Sequence, residues 1–256
     1  MINKIHKLIN NKFSRFFKFV FFLRYLFLIF LVAIVLFLSV PHFFDYEKRR
    51  EVIMSYIFVN YGLEIQKFKD IKYKPFPLPN LEISDVIINS NYNIANFKSK
   101  KLIIYPKFFS IYNYSNFQVR KIKLRNSDLE VNPKNIDSLS ETIINLEKKI
   151  FFKDLNIRIK DKNNDILDLK KIYFSNHGYR KNKIIGEVFN KKFKIDLNDN
   201  LKEINFKLLN TGISAKLNIF EKNQISDLQG SFKGKILKSN FRFNFVFDKK
   251  KLKLKI

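Results

Sequence analysis

Two patterns of apolar residues divide the chain, and the first is an almost uninterrupted apolar run near the N-terminus. It extends from Phe19 to Val40, with Arg24 as its one charged residue. About twenty residues are enough for a helix to cross the ~30 Å hydrocarbon layer of a membrane. The run therefore predicts a transmembrane signal-anchor helix over residues 19–40. A cleaved signal peptide is the main alternative, but residues 38–41 lack the small-residue pattern of a cleavage site.

The flanks of this run differ in charge and predict its orientation. Residues 1–18 contain four lysines and one arginine but no acid, whereas acidic and basic residues balance each other shortly after the run. Positively charged flanks stay in the cytoplasm. Residues 1–18 are therefore predicted to be cytoplasmic, in a protein that crosses the bacterial inner membrane once. Residues 45–256 should then form a periplasmic domain.

The second pattern begins after the membrane segment and indicates mainly strands. Apolar residues between Asp45 and Tyr61 suggest a short helix, which Gly62 would cap. Beyond it apolar and polar residues alternate, as in Leu155–Ile159 and Ile204–Leu208. About a dozen such segments predict a mainly β fold. The expected architecture is a long, curved antiparallel sheet with one or two short amphipathic helices.

One segment interrupts the alternation. Between Asn132 and Ile150 the apolar residues recur at spacings of three and four, with Asn132 placed as an N-cap and Pro133 at the first helical position. This spacing predicts a single amphipathic helix inserted between strands of the sheet.

The strand near the C-terminus has the most regular alternation. Phenylalanine occupies every second position from Phe241 to Phe247. An apolar sheet face can pack on itself in a sandwich or barrel, which alternation alone favours, or it can line an open trough that accepts acyl chains. Periodicity does not distinguish these two structures. The predicted lining of such a groove is Phe206, Leu208, Leu217, Ile219, Phe241, Phe243, Phe245 and Phe247.

Composition and charge narrow the classes of function. The chain has 256 residues, no Cys and a formal net charge of +26. The lack of Cys excludes disulfide scaffolds and thiolate metal sites. Forty of the 49 basic residues are Lys and nine are Arg, whereas bidentate recognition of phosphates or bases favours Arg. We therefore interpret much of the positive charge as lysine that reflects codon bias and keeps the polar faces of the strands soluble. We expect no nucleic-acid partner.

No arrangement of residues in the sequence indicates catalysis. His6, His42 and His177 are scattered, acidic pairs such as Asp165 and Asp168 lie in turns or at strand edges, and no phosphate-binding glycine motif occurs. The sequence thus predicts a protein that is not an enzyme, with no catalytic, metal-binding or cofactor-binding residues.

The order of segments from about Asp45 to Leu237 resembles the N-terminal region of the AsmA family. The resemblance consists of a membrane anchor, a short helix ending in glycine, a strand, a P-x-P-x-P turn and an LEISDV strand. A later IKLRNSDLEV strand that leads into a helix is similar to the same region. The residues that carry the motif are Gly62, Pro75, Pro77, Pro79 and Leu81.

The resemblance implies an inner-membrane-anchored, periplasm-facing protein whose sheet curls into a hydrophobic groove. The family is implicated in moving phospholipids between envelope membranes and in outer-membrane homeostasis. The expected partners are then a phospholipid or other acyl lipid and the membrane. Two other classes stay open. One is an envelope assembly scaffold whose C-terminal strand edge recruits a protein partner, and the other is a lysine-rich surface that binds anionic headgroups.

Overall fold

An apolar helix precedes one large sheet in the computed structural model, which describes residues 14–90, 95–136, 146–161, 164–198, 202–220, 227–248 and 251–255. Helix α1 (Ser14–Ser39) contains the apolar run and continues into a 3₁₀ turn, Val40–Phe43. Its apolar side chains are not buried against the rest of the protein. The length and composition of α1 fit a single-pass membrane anchor and also a signal sequence.

A second helix, α2 (Arg50–Tyr61), confirms the short helix expected before Gly62. Gly62 has a φ of +64°, and its N–H donates a hydrogen bond to the Phe58 carbonyl oxygen at 2.9 Å. Glycine adopts this left-handed conformation without the steric cost that a Cβ would add. Ile53 and Ile57 on one side of α2 are fully buried in the hydrophobic core. The helix therefore ends where the sheet begins and covers its first strands.

Fourteen strands form a single sheet, thirteen of them in one continuous path. The path runs from β1 to β3 and then in chain order to β14, while β2 pairs with β3. This is the mainly β architecture that the alternation predicted. The strands are β1 Leu63–Lys67, β2 Asp70–Lys74, β3 Asn80–Ser90, β4 Ala95–Pro106, β5 Val119–Val131, β6 Ile150–Asp161, β7 Asn164–Ser175, β8 Lys183–Val188, β9 Lys191–Leu197, β10 Glu203–Leu208, β11 Ile213–Phe220, β12 Asp227–Ile236, β13 Ser239–Asp248 and β14 Lys251–Lys255.

Neighbouring strands are antiparallel except for β5 and β6, which are parallel. A parallel pair needs a crossover connection, whereas an antiparallel pair can be joined by a short turn. The interruption in the alternation is therefore the crossover between these two strands. Apart from this pair, every pairing between consecutive strands from β3 to β14 is antiparallel, as predicted.

The crossover corrects part of the predicted helix. It begins with a 3₁₀ turn, Pro133–Asn135, in which the Asn132 side chain accepts a hydrogen bond from the Lys134 N–H at 3.0 Å. Residues 137–145 lie outside the described residues. Ile150, predicted to lie at the end of the helix, is instead the first residue of β6, because it pairs with the backbone of β5.

A line of backbone irregularities, here called the crease, crosses five neighbouring strands. Asp85 in β3, Asn126 in β5, Asp154 in β6 and Lys171 in β7 all have φ between +49° and +58°. Lys100 in β4 lies on the same line and is left out of the pairing with both of its neighbours. Irregularities of this kind bend strands and increase their twist. The first half of the sheet is therefore bent along the crease.

Side chains satisfy backbone groups beside the crease. The Ser127 hydroxyl donates to the Ser99 hydroxyl oxygen at 2.9 Å, and both serines are buried. The Ser99 hydroxyl lies 3.2 Å from the Arg125 carbonyl oxygen, and the Asn156 side chain accepts a bond from the Lys171 N–H at 3.1 Å. Backbone groups that lose ladder partners at the crease thus find side-chain partners nearby.

The hydrophobic core lies under the first half of the sheet. Side chains such as Leu81, Ile104 and Ile122 are fully buried there together with the apolar side of α2. In contrast, none of the described side chains of β10, β11 or β13 is buried. The covered part of the sheet therefore gives way to an uncovered part along the path of strands.

Candidate functional site

The apolar side chains of β9 to β13 form rows that cross the strands. Residues paired directly across neighbouring strands lie on the same face of a sheet. One row comprises Leu197, Ile204, Leu217, Phe232 and Phe243. The next rows comprise Ile195, Phe206, Ala215, Gly234 and Phe241, and then Ile219, Gly230 and Phe245. We call this continuous surface the apolar face.

Several phenylalanine rings of the apolar face lie across glycines of the neighbouring strand. A Cβ at Gly234 would overlap the ring of Phe241, and a Cβ at Gly230 would overlap the ring of Phe245. Phe232 stacks on Phe243, with ring centroids 4.9 Å apart. Aromatic residues commonly cover a glycine on the adjacent strand in this way. The glycines of β12 thus let the rings lie along the sheet.

Over β11 to β13 the apolar face has no covering layer in the described part of the chain. Leu217, Ile219 and Phe245 are half-buried, and Phe241 is 41% exposed. Among the described elements, only neighbouring strands make extensive contact with β11, β12 and β13. Isolated exposed apolar residues are normal, but a contiguous apolar surface indicates a binding surface.

The predicted groove lining maps onto the apolar side of this part of the sheet. The side chains of seven of the eight predicted residues lie there. One of the seven is Leu208, which is placed on this side by its pairing with Ile213 and Phe193. For Phe247 only the backbone is described, and it pairs with Leu228. That these residues contact lipid stays a prediction. Besides Leu208, the predicted residues whose side chains lie on the apolar side are Phe206, Leu217, Ile219, Phe241, Phe243 and Phe245.

The sequence prediction missed part of the apolar face. Phe193 and Phe232 also lie on it, and Phe193 packs on Phe206 with ring centroids 6.1 Å apart. The alternation around Phe232 is hidden by Gly230 and Gly234, which occupy apolar-face positions without an apolar side chain. The signal that could have identified Phe232 is its position two residues from each glycine.

The residues of the AsmA-like motif lie elsewhere in the sheet. Gly62 precedes β1, Leu81 is buried in β3, and the three prolines occupy the loop between β2 and β3. Strands β4 to β8 separate this region from the apolar face. The motif residues therefore lie at the start of the domain and are not part of the predicted lining. The prolines are Pro75, Pro77 and Pro79.

The motif region adjoins the end of α1, at what we call the helix–sheet junction. The hydroxyl of Tyr73 donates to the Leu38 carbonyl oxygen at 2.9 Å, and that of Tyr112 donates to the Phe37 carbonyl oxygen at 2.7 Å. Burial, with a smaller effect from Tyr112, raises the pKa of Tyr73 to about 12. Tyr73 is therefore protonated at neutral pH and can donate this bond. The junction satisfies two carbonyl groups at the end of α1.

The polar residues of the uncovered strands line a cationic groove of about 570 Å³, which also includes the alternating row Phe206, Ala215, Gly234 and Phe241 of the apolar face. One acidic residue, Asp196, lines it and pairs with Lys194 at 2.7 Å. Such a groove favours anions over neutral molecules. Its cations are Lys194, Lys207, Lys216, Lys233, Lys235 and Arg242.

The described residues contain no group of three or more His, Asp or Glu side chains that could hold a metal ion. His177 contacts Ser175, whose hydroxyl oxygen lies 3.3 Å from Nδ1 of the ring. Burial and the nearby charges of Lys121 and Lys149 lower the pKa of His177. His177 is therefore a neutral side chain at neutral pH in a cationic setting.

Comparison of the chain with protein-family models, with curated proteins and with solved structures found no match. The resemblance to the AsmA family therefore depends on the sequence pattern alone. The surfaces that can support a function are the apolar face, the helix–sheet junction and the cationic polar side of the sheet.

Proposed function

We propose that this protein is a membrane-anchored, AsmA-like lipid-binding protein whose apolar face accepts the acyl chains of phospholipids. The observation that carries the proposal is the apolar face, which is continuous across the five strands β9 to β13 and is uncovered over the described part of β11 to β13. Burial of an acyl chain contributes about 0.8 kcal/mol per CH₂ group. Acyl chains on this face would leave their headgroups in water, and no catalytic residue is needed for such binding.

In this proposal α1 crosses the bacterial inner membrane and keeps the sheet beside it. The basic N-terminal flank favours a cytoplasmic N-terminus and a periplasmic sheet. The tyrosine hydrogen bonds at the helix–sheet junction support a fixed attachment of the first strands to the end of α1. A tethered sheet of this kind would serve lipid transport and outer-membrane homeostasis by shielding acyl chains outside the bilayer.

Photo-crosslinking on the two sides of β13 tests lipid binding. A photoreactive amino acid at position 243 lies on the apolar face, whereas one at the adjacent position 244 lies on the polar side and is exposed. We expect illumination of whole cells to give a phospholipid adduct at position 243 and none at 244, as measured by mass spectrometry of the purified full chain. Equal labelling at both positions would contradict an acyl-binding face.

A second measurement introduces negative charge on the apolar face, with a control on the opposite side of the strand. In a chain carrying the photoreactive residue at position 241, Phe243→Asp with Phe245→Asp should reduce the lipid adduct at least about tenfold, because charged groups oppose burial of acyl chains. Asn244→Asp introduces one such charge on the opposite side of the same strand and should leave the adduct unchanged. An adduct that survives the double substitution would exclude the proposed site.

An assembly scaffold is the alternative that one observation favours. Strand β14 ends the path of the sheet and pairs only with β13 among the described strands. An open strand edge can accept a strand from another protein. In this alternative, deletion of residues 252–256 abolishes capture of an envelope protein, and positions 243 and 244 both remain free of lipid adducts.

A further inference from the structure

A second concave surface lies on the polar side of the sheet, at the strand ends near the helix–sheet junction. It is a cleft of about 390 Å³ formed by strands β4 to β7 and by the loop after β7. We call it the aromatic–cationic cleft. Its lining residues are Tyr105, Lys121, Lys123, Phe151, Tyr173, Ser175, His177, Gly178, Tyr179 and Arg180.

Aromatic rings hold the cations of this cleft in position. Lys121 Nζ lies 4.7 Å from the centre of the Tyr105 ring, and Lys123 Nζ lies 4.6 Å from the centre of the Phe151 ring. The guanidinium carbon of Arg180 lies 5.1 Å from the centre of the Tyr173 ring. Cation–π contacts at these distances attract the cation to the ring face. The three charges are therefore placed by partners that do not neutralise them.

The positive charge of the cleft is uncompensated by its lining. No carboxylate belongs to the described lining residues. Burial, followed by the charges of Arg125, Lys153 and Lys121, lowers the pKa of Lys123 to about 8, against the opposing effect of Asp154. A bound anion would remove the repulsion among these cations and restore the charged form of Lys123. The electrostatics therefore favour an anionic ligand.

We propose that the aromatic–cationic cleft binds a phosphate group, and that its source is the headgroup of an anionic membrane phospholipid. Arg180 offers a planar guanidinium, which matches phosphate oxygens in a bidentate manner, and the two lysines add point charges. The cleft is a different site from the apolar face, so its occupancy does not depend on acyl binding there.

The position of the cleft favours a membrane source for the phosphate. Tyr105 and Lys121 also line a smaller adjoining hollow of about 100 Å³, together with Phe108 and Leu78. Phe108 in turn packs on Phe37 of α1, with ring centroids 5.8 Å apart. The cleft is therefore connected to the end of the apolar helix by a short, partly apolar surface. The lipid source depends on α1 being embedded in the membrane, whereas binding of a soluble phosphate compound does not.

The low pKa of Lys123 provides a local readout of binding. With a pKa of about 8, about one Lys123 amine in ten is neutral at pH 7, against fewer than about one in a thousand for an ordinary lysine. Lys123 should therefore acetylate rapidly with an amine-reactive ester, as measured by peptide mass spectrometry of the full chain in lipid nanodiscs. A bound phosphate should slow this acetylation, because it raises the pKa of the amine and covers it.

Three nanodisc conditions distinguish the sources of phosphate. We expect nanodiscs of phosphatidylcholine with phosphatidic acid to slow Lys123 acetylation at least about fivefold relative to phosphatidylcholine alone. Phosphatidylcholine nanodiscs with millimolar glycerol 3-phosphate test the soluble source. Protection in that third condition alone would keep the phosphate site and overturn the lipid source. Lack of protection in both anionic conditions would overturn the site.

Variants separate the cleft from general electrostatic attraction. Arg180→Gln, in an exposed loop, should abolish the protection of Lys123, whereas Lys233→Gln in the cationic groove of the uncovered strands should leave it unchanged. Protection that persists in Arg180→Gln would overturn the proposal. Acetylation of Lys153 and Lys233 that is slowed as much as that of Lys123 would also overturn the proposal. It would show a general effect of the charged membrane surface without a specific site.

Discussion

Glu82 lies on the polar side of β3 between two lysines. Its carboxylate oxygens accept hydrogen bonds from the ammonium groups of Lys74 and Lys101, each at 2.8 Å. Its side chain is only 12% exposed, and burial by itself raises the pKa of the carboxyl group. The two ammonium groups outweigh burial and hold the pKa of Glu82 below its usual value of 4.5. Ionised Glu82 therefore stabilises the fold.

Replacement of this carboxylate should reduce stability in a pH-dependent way. We expect Glu82→Gln to lower the free energy of unfolding by about 1.5 kcal/mol at pH 7, because charged hydrogen bonds contribute this order of stability. Since the folded-state pKa is lowered, this contribution is present above the unfolded pKa, near 4.5, and is lost as the pH falls through the folded pKa. Urea unfolding in mild detergent, followed by circular dichroism at several pH values, measures it.

An exposed ion pair on the same side of the sheet supplies the control. Asp165 lies 3.8 Å from Lys160, and its side chain is mostly exposed. Asp165→Asn should change the free energy of unfolding by less than about 0.5 kcal/mol, as expected for a surface pair. A difference in the free energy of unfolding between wild type and Glu82→Gln that persisted unchanged at pH 3 would show that packing, and not charge, accounts for the effect.

At the scale of secondary-structure elements, the crease determines how five strands bend together. Asn126 lies on it with a φ of +51°, and its side chain is exposed. Asparagine tolerates this left-handed conformation better than most residues, and β-branched residues tolerate it poorly. The conformation of Asn126, more than any contact of its side chain, should therefore determine which substitutions are accepted.

A pair of substitutions at position 126 tests this account. Asn126→Val should lower the free energy of unfolding by about 1–2 kcal/mol, because a Cβ-branched residue is strained at positive φ. Asn126→Gly should leave stability within about 0.5 kcal/mol of the wild type, because glycine adopts this conformation freely. The same urea titration compares them. Equal stability of the valine and glycine variants would mean that the backbone of β5 is regular at this position.

The crease also shows what sequence periodicity can and cannot predict. In β5 the buried positions change phase, from Ile122 and Leu124 to Leu129 and Val131, because Asn126 is an additional residue in the alternation. That phase change is readable in the sequence, whereas its alignment with the irregularities of four other strands depends on register. The parallel pairing of β5 with β6 also depends on the crossover and not on any feature of either strand.

The candidate site was predictable to the extent that each strand has one apolar side. Residues such as Phe243 and Leu217 were identified because their neighbours in the chain are polar, but their pairing with the same residue, Phe232, follows from the register of β12. Whether another layer covers the apolar side cannot be read from alternation. A sandwich and an open sheet share the same pattern, and the structure shows the open arrangement for the described part of β11 to β13.

At the scale of the whole molecule, exposed aromatic residues cluster around the helix–sheet junction. Phe43 and Phe76 are exposed beside it, and Phe109 is 74% exposed in the 3₁₀ turn between β4 and β5. Aromatic side chains are enriched at the interface between a membrane and water. If α1 spans the membrane, these residues should contact the bilayer surface and hold the first strands against it. The turn between β8 and β9, with Phe189, lies at the opposite ends of the strands.

The absence of Trp from the sequence makes this orientation measurable with single-tryptophan variants. Phe30→Trp in α1 serves as the embedded reference, Phe109→Trp reports on the junction, and Phe189→Trp, at a site that is 81% exposed, reports on the opposite strand ends. In vesicles of brominated phosphatidylcholine we expect strong quenching of the first two and little of the third, because bromine quenches by contact. Quenching of Phe30→Trp alone would show that the sheet stands clear of the bilayer. Quenching of all three would show that it lies flat, and either result would contradict an orientation fixed by the junction.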